Sequence, residues 1–231
     1  MRFIKTPINW VFSLIFPIAL LLIFGFLLER ESIEYGYMAI ILIVSLTCTI
    51  MPISINLCSD KVEKRIKHYF IINKAMKKYI SALYIVNLII FELVSLIIFL
   101  LSFIFFKINV DYKVILMFLT FPLISYTFGF IIAIILGSII NSINGIIPLS
   151  MLVFWTIIFI SGITLPLQIM WKHYYYLEVL TPFGSLFMLY NKVINSISLS
   201  SIQILFAIIS LCFWIILSPI CIFLALKSIK K

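Results

Sequence analysis

Charged residues divide this chain into uncharged apolar runs, and the lengths of those runs are its first structural signal. Trp10 to Leu28 is closed by Glu29, Arg30 and Glu31; Tyr35 to Ser59 lies between Glu34 and Asp60; the stretch between Lys78 and Lys107 is interrupted only by Glu92. A helix needs about 20 mostly apolar residues to cross a bilayer, so each run predicts one crossing. The next run, Val114 to Trp171, holds 58 uncharged residues and must fold back on itself. Its turn-forming residues are Asn141, Ser142, Asn144 and Gly145, followed by Pro148. A last run, Ile202 to Leu226, ends in Lys227, Lys230 and Lys231.

The pattern therefore predicts an all-α, polytopic membrane protein with six transmembrane helices. They are expected at 10–28, 36–58, 80–106, 114–138, 146–164 and 202–226, forming a single transmembrane domain over 1–231. Composition agrees, because 65% of the residues are hydrophobic and 11% charged. An aqueous globule could not cover that much apolar surface with so little polar surface.

Lys and Arg are biased toward the cytoplasmic side of a membrane, and that bias sets the orientation. Six crossings put both termini on one face, together with the segment between the second and third helices. That face then holds 12 of the 17 basic residues, seven of them in Lys61, Lys64, Arg65, Lys67, Lys74, Lys77 and Lys78. The opposite face holds Arg30, Lys107, Lys113, Lys172 and Lys192 against Glu29, Glu31, Glu34, Asp111 and Glu178. Both termini are expected in the cytoplasm. Arg2 and Lys5 before an apolar segment imitate a secretory signal, but the segment is too long and no small-residue cleavage site follows it.

The net charge of +9 could suggest nucleic acid. Its concentration in one membrane-adjacent segment points instead to a cytoplasmic protein partner or to anionic membrane lipids. Cys48, Cys58, Cys212 and Cys221 all fall within or at the ends of apolar runs, where a disulfide framework has no place. His68 and His173, the only histidines, form no zinc signature, and the seven glycines never supply a phosphate-cradling Walker loop. No glycine-flanked serine nucleophile and no intramembrane acid pair is present. The expectation is no catalytic residue, no metal site and no cofactor in this chain, which leaves transport or anchoring.

Four places could carry function. Asp60 to Tyr79 reads as an amphipathic helix, with Val62, Ile66, Tyr69 and Phe70 on one side and lysines on the other. It is either a polybasic anchor on lipid headgroups or a docking element for another protein. Glu92 lies near the centre of the third run, where an ionisable group costs about 3 kcal/mol, so it must face protein or water. It is either a helix lock or a group on a substrate path. Gly129, Ala133 and Gly137 form a small-residue stripe that serves packing within one subunit or a homodimer seam. Finally, Ser161, Gly162 and Pro166 end the fifth run, and Trp171, Tyr174, Tyr175, Tyr176, Thr181, Pro182 and Gly184 follow. These residues suit either an aromatic belt with a long loop or a short re-entrant element after the fifth helix.

The second-to-third segment, with Asp60, Glu63, Lys64 and Arg65 leading into Lys77-Lys78-Tyr79-Ile80-Ser81-Ala82, resembles the coupling helix of ABC-2 type exporter permeases. The Ser161 to Pro166 segment, continued by Leu180-Thr181-Pro182-Phe183, is similar to that family's outer re-entrant region. The chain departs from the family pattern in lacking a second proline near Met170 and the usual Gly-Thr in the coupling loop. Its small size and Ile-, Lys- and Asn-rich composition also look like the permeases with which low-GC Gram-positive bacteria expel lantibiotics, bacitracin-like antibiotics or amphipathic toxin peptides.

The resemblance implies a bacterial cell-membrane permease that pairs with a second permease subunit, identical or not. A separate cytoplasmic ATP-binding subunit carrying ATP and Mg would drive it. Its docking residues would be Asp60, Lys61, Glu63, Lys64, Arg65, Lys67, Tyr69 and Phe70. The alternative is a motor-free immunity or sensor protein that binds a peptide or lipid without moving it.

Overall fold

A computed structural model describes residues 15–27, 30–66, 75–106, 112–164, 173–193 and 199–230. These form α1 (Phe16–Leu27), α2 (Arg30–Val62), α3 (Ala75–Phe106), α4 (Tyr112–Ile139), α5 (Ile143–Ile160), α6 (Tyr175–Glu178), α7 (Pro182–Val193) and α8 (Ser201–Lys230). No strand occurs among the described residues. Among the described residues, five windows are long and apolar enough to cross a membrane: Gly36–Val62, Met76–Ile104, Thr120–Ile139, Ile143–Ile160 and Ser201–Ala225. The chain is a multi-pass membrane protein. The helix expected over 10–28 is described only as the 12-residue α1, and the rest of that range lies outside the described residues.

Helix ends follow local sequence rules. Ser142 caps α5 by accepting the Gly145 N–H at 3.1 Å. Thr181 caps α7 in the same way, accepting from Gly184 N–H at 3.0 Å, with Pro182 in the first helical position where its missing N–H costs nothing. Ser200 and Gln203 form a reciprocal capping box on α8. The turn expected around Asn141–Gly145 is three residues long, and α5 starts at Ile143, ahead of the 146 expected.

The bundle is organised around α2, whose residues 36–54 are buried on every side of the helix: Ile41, Leu42, Val44, Leu46, Ile50 and Ile53 expose essentially nothing, as do Leu57 and Cys58 below them. Lipid is as apolar as Leu, so burial of apolar side chains cannot by itself select which helix goes to the centre. Its polar side chains do. Ser45, Thr47, Thr49 and Ser54 are all buried, and each donates to a carbonyl one turn earlier in α2. That leaves oxygens of Ser45 and Ser54 able to pair sideways, Ser45 with Ser125 of α4 and Ser54 with Ser150 of α5 at 2.8 Å.

Close approach of α4 depends on the Gly129, Ala133 and Gly137 stripe. A Cβ at Gly129 would overlap the Thr49 side chain, and one at Gly137 would lie 2.8 Å from the Ser54 carbonyl oxygen and 2.9 Å from Leu57 Cβ. Ala133 is fully buried between them. Both small-residue contacts run within the chain, so the stripe is occupied inside one subunit and is not open as a homodimer seam. Residues 125, 129 and 137 meet 45, 49 and 57 in the same order, so α2 and α4 run parallel.

Helix α3 runs antiparallel to α2, with Tyr79 beside Asp60 at one end and Phe99 edge-on to Tyr37 at the other. We call the Asp60–Tyr79 end lower and the Tyr37–Phe99 end upper. Aromatic packing joins α3 to α4: Tyr126 stacks on Phe91, lies edge-on to Tyr84 and donates to the Tyr84 carbonyl at 2.9 Å. Helix α8 lies at the periphery, its Phe213, Ile215, Ile216 and Phe223 exposed as lipid-facing residues should be.

Replacing Gly137 tests this packing. Gly137→Val places branched carbons against the Ser54 carbonyl and Leu57 and should destabilise the bundle by about 1–3 kcal/mol, the usual cost of overpacking. The check is denaturant titration in lipid–detergent micelles, with the exposed Ile216→Val as control; equal midpoints for the two variants would contradict the contact.

Candidate functional site

At the lower end the chain makes an elbow. Asp60 and Lys61 belong to the last turn of α2, which ends at Val62, so they extend a crossing helix rather than open a separate one. Glu63 and Lys64 form the turn, and Lys64 adopts a left-handed φ of 59°, a conformation that a Cβ makes unfavourable. Arg65 closes the turn through ion pairs with Glu63 and, at 3.4 Å, with Asp60. The other Asp60 oxygen accepts the Tyr79 hydroxyl at 2.7 Å, fixing the base of α3. Lys61 donates to the Ser138 carbonyl in the last turn of α4.

Of the eight residues assigned to docking, then, Asp60, Lys61, Glu63 and Arg65 make contacts within the chain, and Lys64 is exposed. Lys67, Tyr69 and Phe70 lie outside the described residues.

Glu92 sits on the flank of α3, half-buried, and its Oε1 is covered by protein yet has no hydrogen-bond partner among the described residues. Its backbone carbonyl accepts from the buried Ser95 hydroxyl at 3.0 Å. The structure brings no other ionisable group to the carboxyl that would make it an ion-pair lock among the described residues.

The upper half of the bundle contains a polar knot. Helix α5 is only 18 residues long, and its Ser150 lies beside Ser54. At about 1.5 Å of rise per residue, its end at Ile160 therefore reaches roughly the level of Val44, short of the upper end of α2. The chain turns there through Ser161 and Gly162, whose φ of 65° is open to glycine and strained for other residues.

Into the space above come α6 and α7. The carbonyls of Val179 and Leu180 accept from Ser210 Oγ at 2.5 Å and Trp214 Nε1 at 3.2 Å. Both donors lie well down α8, so the turn after α6 is as deep as the end of α5. Helix α7 then climbs back, buried from Pro182 through Met188 against α2, α4 and α8.

Glu178 is the centre of this knot, only 2% exposed. Its carboxylate lies against the bare Cα of Gly162, where a Cβ would collide with it, and its main chain lies against Gly184. Around it, Tyr174 donates to the Phe159 carbonyl at 2.5 Å, Ser161 and Thr181 pair their hydroxyls at 2.7 Å, and Thr181 also reaches the Glu178 carbonyl. Burial holds the Tyr174 phenol above its ordinary value, and the negative charge of Glu178 adds to that shift.

Ser161, Gly162 and Pro182, expected in a re-entrant segment, thus lie in one packed unit; Pro166 is outside the described residues. Glu178, expected among the water-facing acids, is the residue that sequence reasoning misplaced. The local signal was present: Glu178 is followed by the Thr181-Pro182 cap-and-start pair, which returns the chain to a helix immediately after the acid.

Among the described residues no group of three His, Cys, Asp or Glu could hold a metal ion. Among the described residues no disulfide joins Cys48, Cys58, Cys212 or Cys221. No protein-family model, curated protein or solved structure matches the chain.

The knot predicts a coupled pair. Gly162→Ala should cost about 1–2 kcal/mol from backbone handedness alone, with the Glu178 collision added. Combining it with Glu178→Ala removes the collision, so the double variant should be more stable than the two single losses imply, by about 0.5–3 kcal/mol. A double-mutant cycle by denaturant titration measures this; strict additivity would separate the two residues.

Proposed function

We propose that this chain is the membrane-spanning permease subunit of an ATP-driven exporter of the ABC-2 type, moving a hydrophobic or amphipathic substrate, such as an antimicrobial or toxin peptide, outward across a bacterial cell membrane. Six crossings with both termini and the lower end in the cytoplasm complete the reading, along with a second permease subunit and a separate ATP-binding subunit.

The observation that carries this proposal is the lower-end elbow. It is continuous with the buried central helix and bonded to two others, through Asp60–Tyr79 to α3 and through Lys61–Ser138 to α4. A push on the turn at Lys64 would therefore be felt by three helices together. A simple lipid anchor needs positive charge but needs no such rigid attachment.

The first test is copurification of the full chain from its native host with an ATP-binding subunit. Within that complex, Lys64→Glu combined with Lys67→Glu should insert normally and lower substrate-stimulated ATP hydrolysis several-fold. Arg65 is left in place because it holds the elbow. Recovery of the chain with a bound peptide and no ATP-binding subunit would favour the motor-free immunity or sensor protein instead.

Orientation has its own check. A cysteine at Lys64, exposed in the structure, should react with a membrane-impermeant maleimide only after the cells are opened. Labelling of intact cells would invert the assignment of the lower end.

A further inference from the structure

One side of helix α3 is exposed along its length. Ile85, Ile89 and Leu93 are each more than half exposed, while the opposite side turns Asn87, Phe91, Val94 and Ile98 into the bundle. Steps of three and four residues stay on one side of a helix, so the exposed stripe continues down from Ile85 through Ala82 to Lys78, both of them exposed. Depth then decides what Lys78 can meet. The apolar window Met76–Ile104 is 29 residues long. At ~1.5 Å of rise per residue it covers ~43 Å, close to the ~40–45 Å of a bilayer with its headgroups included. Lys77 and Lys78 lie at the lower end of that window, among the headgroups, whereas Tyr79 is turned to Asp60 at the elbow.

Three donors share a patch at this level. Lys77 and Lys78 lie one turn below Ser81, at i−4 and i−3, where side chains of a helix are neighbours, and all three are exposed. No acid compensates the lysines: Asp60 and Glu63 are held by Tyr79 and Arg65, and no Asp or Glu occurs between Glu63 and Glu92. The Ser81 hydroxyl makes no hydrogen bond among the described residues, whereas Ser95 and Ser102 of the same helix donate to their own backbone. Above the patch the small side chain of Ala82 leaves space beside the helix before Ile85 begins the apolar stripe.

We propose that Lys77, Lys78 and Ser81 bind the headgroup phosphate of an anionic phospholipid in the lower leaflet, with an acyl chain laid along Ala82, Ile85, Ile89 and Leu93. The phosphate oxygens accept from the two ammonium groups and from the hydroxyl. A zwitterionic headgroup brings its own cation and is repelled by the second lysine, so selection falls on net negative charge. From Ala82 to Leu93 the helix rises ~17 Å, about one leaflet of a ~30 Å hydrocarbon core. Charged patch and apolar stripe together therefore match a single lipid molecule. The site rests on the fold and is independent of the exporter reading.

The test uses the full chain in phosphatidylcholine liposomes, with Cys48, Cys58, Cys212 and Cys221 replaced by alanine and a fluorophore attached through Ile85→Cys. Phosphatidylglycerol with brominated acyl chains should quench this label at about 5- to 30-fold lower mole fraction than brominated phosphatidylcholine, the range that one to two lysines at a membrane surface provide. The same fluorophore attached through Ile147→Cys, exposed near the lower end of α5 in the uncharged run from Val114 to Trp171, should show no preference. Lys78→Gln should lower the preference at Ile85 severalfold, and Lys77→Gln with Lys78→Gln should abolish it. Lys64→Gln, which removes one charge at the elbow, should keep it.

Native mass spectrometry of the parent chain, its cysteines intact, gives a second reading: it should retain phosphatidylglycerol over phosphatidylcholine and lose that preference in the double variant. Inorganic phosphate in excess should leave the quenching unchanged, because the acyl chain contributes to binding. Equal preference at Ile85 and Ile147, or equal loss from Lys64→Gln and Lys78→Gln, would reduce the patch to the diffuse charge of the lower end and overturn the site. Displacement by inorganic phosphate would assign it to a free anion and overturn the lipid. A double variant that keeps its lipid preference but no longer copurifies with an ATP-binding subunit would give Lys77 and Lys78 to the protein contact. Failure of the parent to copurify with such a subunit would leave the lipid result untouched.

Discussion

Backbone and side-chain polar groups in a lipid solvent have to find partners inside the protein, and helix α2 is where this constraint shapes the bundle. Its hydroxyls are first satisfied by their own helix, which removes the cost of burying them. Only then can Ser45 and Ser54 add lateral contacts to α4 and α5. Each such contact is worth only about 1 kcal/mol. Contact at this range also requires that nothing stands between the helices, which is what Gly129 and Gly137 provide. The bare face of α4 and the hydroxyl-bearing face of α2 are two halves of one device.

The remaining helices take their places from that core. Helix α5 is anchored by Ser150 near its middle and is too short to fill the upper half beside α2. The vacancy is taken by α6 and α7, and the irregular turn between them, at residues 179–181, would be intolerable against lipid and has two of its carbonyls covered by α8. Glu178 belongs to this filling. Deeply buried and lodged on Gly162, it joins the segment leaving α5 to the one entering α7. The α8 helix, although peripheral, supplies Ser210 and Trp214 to the carbonyls that would otherwise be stranded at that depth.

Much of this was legible in the chain of letters, for a physical reason. Charges are expensive in lipid, so run lengths between them locate the crossings, and Asn, Ser and Gly at 141–145 mark a turn because little else there can bend. The Gly129, Ala133 and Gly137 stripe announced a close approach but not its partner, since a small residue says only that something is near. Which helix is central was hidden, because lipid-facing and protein-facing positions are equally apolar. Glu178 was hidden for the opposite reason: an acid just after an apolar run reads as surface unless the depth at which that run stops is known. Asp60 was read as part of a separate amphipathic helix because the first charge after a run looks like an end, whereas α2 continues to Val62.

The dependence of Val179 and Leu180 on Ser210 and Trp214 has a consequence for how the protein is made. Those two carbonyls leave the ribosome about thirty residues ahead of the side chains that will satisfy them. Until α8 is synthesised and released sideways into the membrane, the turn after α6 has no favourable position at depth and is better left at the aqueous boundary. The packing of the upper half at depth therefore depends on the synthesis of α8, even though that helix lies at the periphery of the finished bundle.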